Sequence, residues 1–216
     1  MTTSTQIPKG TPFVARLASW KVWVASAAIF IPFAWMFFAS SVPFAIPEVE
    51  AVCGQAPPDM RWFTSADGVN QFLDDCGANG RDTYRNMQLA DLFYPAIVGV
   101  FLASSLSLAI GRLLPRPGRA LWLGALPLAA MVFDYLENVL AWLALASYPD
   151  PIVTTHLLGL ASAAKTATSW AAGLLLLAAL TAIVVQATRA RLSRANTDAA
   201  VVSDRADERE LVGSAS

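Results

Sequence analysis

The sequence predicts an all-α integral membrane bundle of four transmembrane helices, with a disulfide-closed extracytoplasmic loop between the first and second. Three observations carry this. Of 216 residues, 56% are hydrophobic and only 14% charged, against about 25% charged in an ordinary soluble domain. The charges are absent in long blocks rather than thinned evenly. The two cysteines, Cys53 and Cys76, both fall in the one long stretch between such blocks.

The four spans follow in order. Val22 to Pro47, Leu92 to Gly111 and Thr166 to Thr188 contain no Asp, Glu, Lys or Arg, and Ala120 to Pro149 contains only Asp134 and Glu137. About 20 mainly apolar residues cross a bilayer as a helix. Spans are therefore expected at roughly 20–43, 92–112, 120–147 and 160–187, within a membrane domain 20–194. Barrel strands would alternate apolar and polar residues, and the run of four leucines at 174–177 does not. Reading 1–40 as a cleaved signal peptide fits less well, because the apolar run exceeds the usual 7–15 residues.

Basic residues set the expected orientation. Lys9, Arg16 and Lys21 precede the first span, Arg112, Arg116 and Arg119 fill the second link, and Arg189, Arg191 and Arg194 follow the fourth span. Four crossings put all three clusters on one side. The positive-inside rule makes that side cytoplasmic, with the N-terminal segment 1–19 and the tail 195–216. A plasma membrane, of the bacterial inner-membrane kind, fits this pattern. The opposite side carries loop 44–91, which holds eight acidic residues and only Arg61, Arg81 and Arg85. An oxidising compartment makes Cys53–Cys76 a disulfide. The loop is expected to fold, with a short helix over 64–75 capped by Ser65 and burying Phe72 and Leu73. A second helix capped by Asp82 should run into the second span. The tail, with alternating charges, reads as disordered.

Functional expectations come from polar residues inside the spans. Asp134, Glu137 and Asn138 lie at i, i+3, i+4 and share a helix face. A charge near the bilayer centre costs about 2.5–3.5 kcal/mol on insertion scales, so such residues usually face a bundle interior. Both carboxyls cannot ionise cheaply there unless a cation pairs with them. At ~1.5 Å per helical residue, Asp134 and Glu137 lie ~22 and ~27 Å above Arg119. Asp91 and Tyr94 lie ~31 and ~27 Å above Arg112, and Lys165 and Ser169 ~36 and ~30 Å above Arg189. The sequence thus predicts an acidic pocket in the outer half of the bilayer. Asp134 and Glu137 are its candidate acid and base, Lys165 the counter-charge, and Asp91, Tyr94, Asn138 and Ser169 its other ligand-binding residues. Pro95 cannot donate to the Asp91 carbonyl, which leaves that acceptor free. Snorkelling of Lys165 to the headgroups is the bland alternative.

Four helices with intramembrane carboxylates resemble the sterol-isomerase-like four-helix superfamily, in which buried carboxylates work beside a lipid pocket. The order of motifs gives no residue-by-residue match, and no site residue is carried over. With 15 basic against 16 acidic residues, nothing attracts nucleic acid. No phosphate loop, nucleophile elbow or dinucleotide fingerprint is present, so no cofactor is expected. His156 is the only histidine, too few for a zinc site. The expectation is a membrane protein that binds a lipid or small molecule, with acid–base chemistry open to it. The alternatives are a proton- or cation-coupled transporter, as a homodimer or as one subunit, and an assembly partner of another membrane protein.

Overall fold

The computed structural model describes residues 16–116, 118–150 and 154–213. Four of its helices are long and apolar enough to cross a membrane, and no strand occurs among the described residues. The chain is an all-α membrane bundle, and the Cys53–Cys76 disulfide lies between its first and second spans.

Helix α1 covers Trp20–Ala39 and ends at Ser40, whose extended backbone breaks the ladder before Pro43. It lies against the second span through a Trp23 Nε1 donation to Ser105 Oγ at 2.9 Å and a Phe30–Phe101 stack with centroids 4.7 Å apart. Helix α2 is Ile46–Cys53, closed by Gly54 in a left-handed conformation. A 3₁₀ turn at Pro58–Met60 follows the Pro57 break. Helix α3, Ala66–Asp91, is capped as expected: Ser65 accepts from the Gly68 amide at 3.2 Å. Its ladder breaks at Gly77, at φ 59°, where a side chain would be strained. Asp82 therefore does not cap the continuation. It lies inside it and pairs with Arg85 at 2.5 Å.

Helix α4, Tyr94–Leu113, begins one turn beyond α3 because Pro95 fits only at a helix start. The third span, Gly118–Ser147, opens as 3₁₀ helix over Gly118–Ala125, and α5 covers Leu126–Ser147 with Pro127 in its first turn. Helix α6 starts at Thr154 and runs to Gly213. The helix therefore continues past the expected span end near 187–194. No Gly or Pro occurs between Gly173 and Gly213, so nothing in that stretch breaks the ladder. Lys9 of the N-terminal basic cluster lies outside the described residues.

The main core sits at the loop end of the bundle. Phe72, Leu73 and Val69 of α3 and Val49 of α2 pack with Leu140, Ala144 and Leu145 of α5 and Leu158 of α6. Toward the other end, the helices meet through small residues such as Ala103, Ser104 and Ser107, all fully buried. Small side chains let helix backbones approach where lipid supplies no hydrophobic drive. Large apolar residues such as Ile31, Val132, Leu174 and Leu177 point outward, as a lipid-facing surface requires. Loop and bundle approach closely at Gly159, where an added Cβ would stand 2.3 Å from the Thr64 carbonyl oxygen.

Candidate functional site

The ionic cluster forms where α5 and α6 face each other beneath the loop. Asp134 and Glu137 are buried on one face of α5, and Lys165 reaches them from α6. The ammonium lies 3.4 Å from Asp134 Oδ1 and pairs directly with Glu137 Oε2. It also donates to the backbone carbonyl of Asp59 at 2.9 Å. Ser162, one turn before Lys165, donates to Glu137 Oε1. Lys165 thus spends its three donors inside the protein. Its snorkelling to headgroups is not what the geometry shows, because three acceptors meet it within the bundle.

Asn138 completes the α5 face in another direction. Its Nδ2 donates to the Asp91 carbonyl at 3.0 Å, the acceptor freed by Pro95. Tyr135 hydroxyl donates likewise to the Leu92 carbonyl at 3.1 Å. The break between α3 and α4 is therefore held by α5 side chains, which satisfies backbone groups that a membrane interior would leave unpaired. The Asp91 side chain is buried beneath this junction.

Asp59 enters the site from the loop. It is 4% exposed and accepts from the Tyr84 hydroxyl at 3.2 Å and from Gln88 Nε2 at 2.9 Å. Burial raises its carboxyl above the usual carboxylate range, and the Lys165 ammonium pulls it part of the way back. Gln88 Oε1 and Asn138 Oδ1 are buried without a donor. Sequence reasoning does not single out Asp59, Tyr84 or Gln88. Asp59 is one of eight acids in a polar loop, and no hydropathy penalty marks it. The Pro57–Pro58 break just before it is the one local signal that its backbone is fixed.

A cleft of about 480 Å³ opens beside this cluster. Asp134, Lys165 and Ser169 line its polar end, with Tyr94, Trp62 and Trp170 around them. Val98, Gly99, Leu102, Met131 and Ala172 make its apolar wall. Ala172 is seven residues below Lys165, and Pro127 seven below Asp134, so the cleft runs ~10 Å toward the middle of the bundle. Of the seven residues singled out in the sequence, Asp134, Lys165, Tyr94 and Ser169 line the cleft. Glu137, fully buried, stands behind them, while Asp91 and Asn138 meet at the α3–α4 junction. Among the described residues, no three His, Cys, Asp or Glu side chains are grouped to hold a metal ion. No protein-family profile, curated protein or solved structure matches the chain.

Proposed function

We propose that this protein is a multi-pass membrane protein that binds a membrane lipid or similar amphiphile in the cleft. The polar end of the ligand lies at Asp134 and its chain lies along Val98, Leu102 and Met131. The observation that carries this is the continuity of one cavity from a buried ion cluster to an apolar wall. Its volume falls within the 300–1,000 Å³ usual for small-molecule sites. Asp134 is the one intramembrane carboxylate open to the cleft, so any acid–base step on a bound ligand runs through it.

The loop end faces away from the cytoplasm in this reading. The arginines at 112, 116, 119, 189, 191 and 194 cluster at the other end, and the disulfide suits an oxidising compartment. A phosphatase reporter fused after Ser216, active only outside the cytoplasm, should be silent. Strong activity would reverse the orientation.

The binding itself is tested by filling the cleft. Val98→Trp occupies the apolar wall, while Val132→Trp places the same ring on the outer surface, where Val132 is 60% exposed. Mass spectrometry of the purified chains should show co-purifying lipid in wild type and Val132→Trp and its loss in Val98→Trp. Equal retention by all three would remove the cleft as a binding site.

A further inference from the structure

Acidic groups outnumber basic ones around the cleft. Four carboxylates (Asp59, Asp91, Asp134 and Glu137) are buried at this level of the bundle, each at most 7% exposed. One ammonium, Lys165, contacts two of them and is saturated by Glu137, Asp134 and the Asp59 carbonyl. Arg61 also lines the cleft, but its guanidinium is turned away, donating to Gln55 Oε1 at 2.7 Å and to the Ala56 carbonyl at 2.8 Å. Asp134 holds the looser of the two Lys165 contacts, at 3.4 Å, and its side chain lines the cleft, from which a further partner would come. The lining is rich in aromatics: Trp62 and Trp170 are largely exposed, and Tyr94 and Phe38 lie along the same cleft. A carboxylate that shares its one cation with a second carboxylate, beside aromatic side chains, is an environment that attracts an ammonium group.

We propose that the cleft selects amphiphiles with a protonated amine or quaternary ammonium headgroup, seated against Asp134 between Trp62, Trp170 and Tyr94. This deepens the lipid-binding reading and rests on it. An anionic headgroup would be repelled by the acidic cluster, and a neutral one would leave Asp134 with only its shared Lys165 contact. Low local dielectric makes both differences larger than they are in water. The apolar wall accepts the chain of all three ligands equally, so discrimination lies in the headgroup.

The probes are brominated stearylamine, stearyl alcohol and stearic acid, added to the full chain in a nonionic detergent at mildly alkaline pH. Bromine quenches nearby tryptophans. A Trp62→Phe/Trp170→Phe chain gives the background from the other five tryptophans. Expected is saturable quenching by the amine at roughly tenfold lower concentration than by the alcohol, a difference of about 1.4 kcal/mol. The acid should be weaker still. Asp134→Asn should bring amine and alcohol together. Should the acid or the alcohol saturate as readily as the amine in wild type, the headgroup assignment is overturned while the cleft stands. Quenching that is unsaturable, and the same in the doubly substituted chain, would remove the cleft itself. The wild-type comparison of three headgroups needs no variant, so misfolding of Asp134→Asn cannot shield the proposal.

Discussion

Lys165 holds the residue-scale chemistry together. Its partners lie on α5 and in the loop, so removing it strands two buried carboxylates at once. Breaking a buried pair from one side typically costs about 3–5 kcal/mol. Lys165→Met should therefore lower the thermal midpoint in detergent far more than Ser162→Ala, which removes one hydrogen bond to Glu137. Adding Glu137→Gln to Lys165→Met should restore part of the loss, since it takes away one stranded charge. If the double variant is no more stable than Lys165→Met, the pairing is not what Lys165 contributes. Asp59 gives the pH dependence. Burial holds its carboxyl above the ordinary carboxylate range, so the folded state keeps its proton where the unfolded chain has lost it. That contribution is complete below about pH 4 and is lost as pH rises through the folded-state value. Asp59→Asn cannot ionise, and Gln88 can turn its donor-less Oε1 toward the new amide. Thermal unfolding across the acid-to-neutral range should fall less steeply for Asp59→Asn than for wild type. Parallel curves would show that Asp59 does not titrate there.

At the scale of elements, the decisive feature is how the loop rests on α6. The Gly159 position lies against the Thr64 carbonyl and the Phe63 ring, the latter 2.9 Å from an added Cβ. Both belong to the segment that carries Asp59 over Lys165. Gly159→Ala should push this segment off α6, at an overpacking cost of about 1–3 kcal/mol. It should also weaken the Lys165–Asp59 contact, and ligand retention should fall along with stability. Gly173→Ala meets nothing within 4 Å and should be neutral or slightly stabilising in both measurements. Similar losses in the two variants would mean that helix propensity, rather than the close approach, sets the result. The helix starts follow the same local logic. Pro95 and Pro127 each occupy a first turn, and α5 side chains bond the two carbonyls exposed where α3 gives way to α4.

On the scale of the whole molecule, a cysteine-closed loop is joined to a bundle through one shared core. Phe72 and Val49 from the loop and Leu140 and Leu158 from the bundle belong to the same cluster. Cys53 and Cys76 bracket Asp59 and the Trp62 rim, 23 residues apart. Replacing both by Ser should cost about 3 kcal/mol by chain entropy. Because the cleft roof lies inside the closed segment, lipid retention should also drop under reducing conditions, read by thermal unfolding and mass spectrometry with and without reductant. An unchanged midpoint would mean that the loop core holds without the bridge.

Four helices long and apolar enough to cross a membrane, the bridged loop and an inward-facing Asp134–Glu137 pair follow from the sequence alone. Each depends on a local quantity: an uncharged length, a cysteine pair in a polar segment, and two acids one turn apart where lipid cannot solvate them. Helix α6 runs past the expected end of its span because hydropathy marks where a membrane ends, whereas a helix continues until its backbone ladder is broken. The partners were decided by tertiary structure. Lys165 meets Asp59 across 106 positions, and Asp91 meets Asn138 across 47. Which of several polar groups at one height face each other depends on how the helices are rotated and where the loop lies. Both are set by packing summed over many residues, which no single stretch of chain encodes.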